Sequence, residues 1–98
     1  MALVVEVRFA RGTRDQHDAA DIKVTEAMET LGGPPAGLMF HLTWPDTDGF
    51  VILDVWRTEA EAREFLEAVL YPAIADIALT PDEPIFRPVW GMANPPMS

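Results

Sequence analysis

The spacing of apolar residues divides the first third of the chain into a strand and a helix. Apolar residues alternate with others from Leu3 to Phe9, which is the pattern of a strand with one buried face. From about Asp15 to Leu31 they instead recur every three or four positions, which predicts an amphipathic helix. The glycines and prolines of residues 32–35 end that helix.

The middle of the chain predicts a hairpin and the start of a second helix. Two extended runs, Leu38 to Trp44 and Phe50 to Trp56, flank a segment rich in turn-forming residues. Thr58, followed three positions later by Glu61, predicts the N-terminal cap of the second helix.

Two prolines shape the last third. Pro72 lacks the amide hydrogen of the helix ladder, so we expect a kink or break before a last helical segment, Ala73 to Leu79. Pro88 lies in a final strand, Ile85 to Gly91, and predicts that this strand is at a sheet edge.

This element order predicts one α+β domain with a ferredoxin-like βαββαβ fold over residues 1–92, followed by a proline-containing tail, residues 93–98. Right-handed crossovers place both helices on one face of a four-stranded antiparallel sheet of order 4-1-3-2. The other face is left open, and we expect it to pair two copies into a dimeric α/β barrel that encloses a cavity.

Alternation assigns side chains to the two faces. The helix-covered face is predicted to carry these apolar residues: Leu3, Val5, Val7, Phe9, Val51, Leu53 and Val55. The open face is predicted to carry a mixed set: Glu6, Arg8, Phe50, Ile52, Asp54 and Trp56. The strand from 38 to 44 allows two orientations, and we favour the one without an imidazole in the core. This orientation buries Leu38, Phe40, Leu42 and Trp44 and adds Met39, His41 and Thr43 to the open face.

The composition of the chain limits the partners and metal sites that the sequence predicts. The chain has 98 residues with sixteen acidic and seven basic side chains, a formal net charge of −9 and scattered basic residues, so nucleic acid is not an expected partner. It has no cysteine and two distant histidines, which give no metal-ligand spacing. Glu6 interrupts the first apolar run, and no run reaches the roughly 18 residues of a membrane span. We therefore expect a cytoplasmic protein.

His41 and Asp54 are the candidate catalytic residues. An imidazole such as that of His41 titrates near neutral pH and could exchange a proton with an acidic phenol or carbon acid, although a lone histidine on a strand is more often structural. Asp54 lies opposite His41, or one residue away, in the predicted hairpin and could orient its ring. The alternative partner of Asp54 is Arg8, in a structural ion pair.

The other candidates are predicted to bind substrate. Arg8 could hold an anionic or phenolate group and Glu6 accompanies it, unless both form ion pairs across a dimer. Trp56 offers a flat wall for an aromatic ligand or fills the interface core, and Phe50 and Ile52 line the same face. His17 is interpreted as part of a solvated helix end rather than as a metal ligand.

Residues 37–66 carry a resemblance to a known family. Gly37-Leu-Met-Phe-His41, a turn, and then Gly49-Phe-Val-Ile-Leu-Asp-Val-Trp56 before a capped, Glu-rich helix are similar to the antibiotic-biosynthesis-monooxygenase-like (ABM) family of the dimeric α/β-barrel superfamily. In its quinol and anthrone oxygenases this strand carries an Asn and, four residues on, a Trp. Trp56 matches the Trp, whereas Ile52 stands at the Asn position.

The resemblance implies chemistry without metal or flavin. Haem-degrading relatives use a histidine on the second helix, and residues 58–79 contain none, which excludes that activity. Two hypotheses remain. One is a cofactor-free monooxygenase, isomerase or cyclase acting on an aromatic or polyketide-like compound. The other is a non-catalytic dimeric module that binds a small ligand or a partner, which the Ile52 departure favours.

Overall fold

A computed structural model describes residues 1–93, and the predicted tail from residue 94 onward lies outside the described residues. The strands are β1 (Leu3–Ala10), β2 (Leu38–Asp46), β3 (Gly49–Trp56) and β4 (Ile85–Pro88). The helices are α1 (Arg14–Thr30), α2 (Glu59–Phe65), a π-helical turn (Leu66–Leu70), α3 (Tyr71–Ile74) and a 3₁₀ turn (Ala75–Ile77).

The four strands form one antiparallel sheet of order β2-β3-β1-β4. This confirms the predicted ferredoxin-like α+β fold and the edge position of the proline-containing strand. β4 ends at Pro88 and is therefore shorter than the predicted run to Gly91. The core lies between one face of the sheet and the helices. There, side chains of β1 and β3 pack against residues of α1 and of the helical region that runs from α2 to the 3₁₀ turn.

Caps and a wide turn set the helix limits. Thr13 caps α1 and exchanges hydrogen bonds with Gln16, and the predicted cap Thr58 accepts from the backbone of Glu61. The predicted break at Pro72 takes the form of a π turn just before it, in which the Tyr71 amide reaches back to the carbonyl of Leu66. Such a turn gives the proline ring the room that a regular helix denies.

The predicted faces of β3 are reversed. Val5 stands directly opposite Asp54 and Phe9 opposite Phe50, and directly opposed residues share a face. Phe50, Ile52, Asp54 and Trp56 therefore lie on the helix side together with the apolar residues of β1, while Val51, Leu53 and Val55 lie on the open side. The physical reason is that burial of the two large aromatic rings in the core stabilises the fold more than burial of the valines would. The buried carboxylate is tolerated because it has hydrogen-bond partners.

The predicted orientation of β2 is also wrong beyond its first residue. Leu38 packs against the core as predicted, but a register shift between Leu38 and Phe40 turns the rest of the strand over. Phe40 and Leu42 are exposed on the open face, and His41 and Thr43 face the helices. A bulge inserts one residue, and one residue is enough to exchange the two faces of a strand.

The open face is mixed in character. It carries these side chains: Val4, Glu6, Arg8, Phe40, Leu42, Trp44, Val51, Leu53, Val55, Ile85 and Arg87. Val51 is nevertheless fully buried, because the longer Arg8 and Trp44 stand on either side of it.

Within residues 1–93, no helix has the length and the apolar character needed to cross a membrane.

Candidate active site

A cavity of about 180 Å³ lies between the sheet and the helices, on the face that the helices cover. Its sheet wall consists of Phe9, Leu38, His41, Thr43, Phe50, Ile52 and Asp54. Its helical wall and rim consist of His17, Ala20, Asp21, Val24, Met28, Pro34, Phe65, Leu70 and Ile74. Most of this lining is apolar, so the few polar groups fix how a ligand can be oriented.

His41 and Asp54 meet across β2 and β3 in this cavity. They are directly opposed in the register, and Nδ1 of His41 lies 2.6 Å from a carboxylate oxygen of Asp54. The other carboxylate oxygen accepts a hydrogen bond from the indole Nε1 of Trp56, at 3.3 Å. Asp54 is buried, whereas about half of the His41 side chain is exposed, because β2 is an edge strand. The predicted pairing of these two residues is confirmed, although not on the predicted face.

The environment of His41 favours its charged form. The hydrogen bond with Asp54 raises the pKa of His41 above its ordinary value of 6.5, partial burial opposes this, and the carboxylates of Asp54 and Asp21 add to the rise. Because a carboxylate only accepts hydrogen bonds, the single proton of the neutral ring is on Nδ1. Above the raised pKa of His41, where the neutral ring forms, Nε2 is left to take a proton from a ligand. The pair has the arrangement of a general base held by a carboxylate.

A second imidazole, overlooked as a site residue in the sequence, lies in the same cavity. His17 is not part of a solvated helix end: Nε2 lies 3.0 Å from the hydroxyl of Thr43, and Nδ1 lies 2.9 Å from a carboxylate oxygen of Asp18. Its ring edge also contacts the ring of Phe50, with centroids 5.2 Å apart. The sequence did carry one signal for this position. His17 lies four residues before Asp21, so both side chains project from one face of α1, and both line the cavity.

Glu6 and Arg8 are on the open face as predicted, but on the opposite side of the sheet from His41 and Asp54. Arg8 forms ion pairs with Asp46 and with Glu6, and Arg87 approaches Glu6 at 3.8 Å. The alternative pair of Arg8 with Asp54 does not form, because the sheet separates the two residues. The structure therefore does not bring these charges into one site with His41.

The predicted aromatic wall is provided by a different residue. Trp56 is buried in the core, where it packs against Phe65 with ring centroids 5.1 Å apart, and it reaches the site only through Asp54. Phe50, stacked on Phe9 at 4.7 Å, gives the cavity a flat aromatic surface. Ile52 lines the cavity as predicted, but its side chain offers no hydrogen bond. Among residues 1–93, no three histidine or acidic side chains converge as metal ligands.

Comparison with solved structures finds the same fold in two oxygenases and in a third protein. A mutant of SnoaB, a cofactor-independent oxygenase from Streptomyces nogalater, is similar over 93% of this chain and 94% of its own, at 14% identity and a TM-score of 0.61. A monooxygenase from the gene ActVA-Orf6 of Streptomyces coelicolor, in complex with nanaomycin D, covers 97% and 92%, at 20% identity and 0.61. Rv0793 from Mycobacterium tuberculosis covers 96% and 100%, at 13% identity and 0.62.

The sequence itself is distant from these proteins. No protein-family model matches it, and a search of curated proteins finds no match. The structural similarity extends over nearly the whole chain and confirms the fold that the ABM resemblance implies. Proteins with the same fold can catalyse different reactions, so the activity depends on the side chains that line the cavity.

Proposed function

We propose that this protein is a cofactor-independent monooxygenase of the ABM type that acts on a small phenol or quinol in the cavity between the helices and the sheet. The observation that carries the proposal is the His41–Asp54 pair at the wall of a largely apolar cavity. Nε2 of His41 takes the phenolic proton, and Asp54 stabilises the imidazolium that results.

The size of the cavity points to a compact substrate. A cavity of roughly 150 Å³ holds a benzene molecule, whereas pockets for drug-sized ligands span roughly 300–1,000 Å³. The volume here, about 180 Å³, fits one aromatic ring with small substituents. The flat face of Phe50 provides a stacking surface for such a ring.

The proposed reaction is balanced without a resident redox cofactor. A quinol loses its phenolic proton to His41, and the electron-rich ring then reacts with molecular oxygen. One oxygen atom replaces a ring hydrogen as a hydroxyl, the two original hydroxyls become carbonyls, and the second oxygen atom leaves as water. The four electrons that reduce oxygen all come from the quinol, and the product is a hydroxyquinone.

Isotope labelling tests this proposal. Hydroquinone and methylhydroquinone are incubated with the protein under ¹⁸O₂, and the products are analysed by mass spectrometry. We expect a hydroxyquinone that carries one ¹⁸O atom, lost in His41→Gln and retained in Asp48→Asn, a substitution at an exposed turn position. Unlabelled quinone and hydrogen peroxide, formed at the rate seen without protein, would overturn the proposal, because they are the products of spontaneous oxidation.

Ile52 favours a second candidate function, which is binding of a small aromatic ligand without turnover. Its aliphatic side chain occupies the cavity wall opposite Thr43 and cannot hydrogen-bond a phenolate or oxygen. In that case the protein binds the same phenols, and no labelled product forms.

We further propose that the open face joins two copies of the chain. Exposed Phe40 and Leu42 lie there beside Trp44, and burial of such a surface stabilises association. Native mass spectrometry of the purified protein should show a dimer, and Leu42→Asp should shift it to monomer. A wild-type monomer at micromolar concentration would contradict this proposal and leave the cavity argument intact.

A further inference from the structure

Asp18, His17 and Thr43 form a continuous chain of hydrogen bonds that ends in the cavity. The carboxylate of Asp18 contacts Nδ1 of His17, and Nε2 of His17 contacts the hydroxyl of Thr43. The sheet register pairs Thr43 with Ile52, and both residues line the cavity. The general-base role of His41 involves none of the three.

The direction of these hydrogen bonds follows from the chemistry of the groups. Hydrogen bonds from His17 and then from Arg14 lower the pKa of Asp18, so that its carboxylate is ionised and can only accept. The ring proton of a neutral His17 is therefore on Nδ1, and its Nε2 accepts the hydroxyl proton of Thr43. Thr43 then presents only oxygen lone pairs to the cavity.

The cavity consequently offers two acceptors on one strand. Nε2 of His41 and the oxygen of Thr43 project from β2 two residues apart, a separation of about 7 Å along the strand. That span suits one aromatic ring with a substituent at each end. In the part of the chain that the structure describes, the cavity lining includes no lysine or arginine to hold an anion.

We propose that Thr43, held by His17 and Asp18, is a second recognition element that selects neutral single-ring ligands with a hydroxyl at each end. This inference rests on the proposed function and deepens it by naming the ligand class. One hydroxyl donates to His41 and the other to Thr43. A ligand whose second oxygen cannot donate binds more weakly, since its lone pairs would face those of Thr43.

A matched pair of ligands tests the proposal by isothermal titration calorimetry, without oxygen and at pH 7, 8 and 9. Several pH values are needed because the neutral ring of His41 is the acceptor and the pKa of His41 is raised above its ordinary value. Hydroquinone has two hydroxyls, and 4-methoxyphenol replaces one of them by a methyl ether. We expect hydroquinone to bind about three- to tenfold more tightly, which corresponds to one net hydrogen bond.

The variants assign this preference to the proposed chain of groups. Thr43→Val removes the hydroxyl with little change of shape and should bring the affinity ratio close to one. His17→Phe keeps an aromatic contact with Phe50 but frees the Thr43 hydroxyl to donate, so 4-methoxyphenol should gain affinity. Thr43→Ser should retain the preference, and Thr30→Val, at the exposed end of α1, should not alter it. A merely structural role of His17 would weaken both ligands equally.

The possible failures are distinguishable. Equal binding of the two ligands, weakened by His41→Gln but not by Thr43→Val, would overturn this inference and leave the proposed function in place. Failure of wild-type protein to bind either ligand would overturn both proposals.

Discussion

The hydrogen bond between His41 and Asp54 predicts that the two residues stabilise the fold in a pH-dependent way. We consider a double-mutant cycle of His41→Phe, which keeps a ring, and Asp54→Asn, which keeps the shape and an acceptor for Trp56. His41→Phe alone leaves a buried carboxylate with one partner, the Trp56 indole, and should be the more damaging single change.

The expected coupling energy between His41 and Asp54 follows from the geometry of their hydrogen bond. Hydrogen bonds to charged groups contribute about 1.5–3 kcal/mol, and the half-exposed imidazole puts the expected coupling near the lower limit, about 1.5 kcal/mol. For a domain of this size, a loss of 1 kcal/mol lowers the Tm by roughly 4–8 °C. The effect is therefore readily measurable.

The pH dependence has a definite sign. The pKa of His41 is raised in the folded protein, so its contribution is fully present below the ordinary value of 6.5. It is lost as the pH rises through the raised value. We expect the coupling energy to be largest near pH 6 and to decline steadily toward pH 9.

Urea denaturation followed by circular dichroism at several pH values measures this cycle. His41→Phe combined with Asp48→Asn provides the control, because Asp48 lies in the hairpin turn away from His41 and should show no coupling. A coupling below about 0.5 kcal/mol at pH 6, or one that stays constant with pH, would refute the assignment of His41 and Asp54 as a charged pair.

Two further substitutions test how the fold is held together. Gly49→Ala should destabilise the protein by about 2 kcal/mol or more, because its Cβ would meet the backbone carbonyl of Phe9 on the neighbouring strand, whereas Gly91→Ala meets nothing within 4 Å and should be near neutral in thermal denaturation. Thr13→Ala removes the side chain that caps α1 and should cost about 1 kcal/mol in urea denaturation; an equal loss in Thr47→Ala, at an exposed turn position, would contradict that explanation.

The sequence determined the elements and their order. Strand alternation, helical spacing, glycine and proline positions and the Thr58 cap are local features, and they led to the observed βαββαβ fold. The pairing of His41 with Asp54 was also predictable, since the short hairpin places the two residues opposite each other. These features depend on residues near one another along the chain, where backbone geometry leaves few alternatives.

Tertiary structure alone decided which face of the sheet holds the site. The bulge after Leu38 and the register between β1 and β3 turned His41 and Asp54 toward the helices and left Arg8 on the other side. A shift of one residue moves every side chain of a strand to the other face of the sheet. Which register is more stable depends on the free energy gained by burying aromatic rings and on the cost of burying a carboxylate. The contact of His17 with Thr43, 26 residues away, likewise depends on how α1 packs over β2. The spacing of His17 and Asp21 places both on one face of α1, but no local pattern determines which part of the sheet that face covers. The structure was therefore needed to place the second imidazole in the cavity.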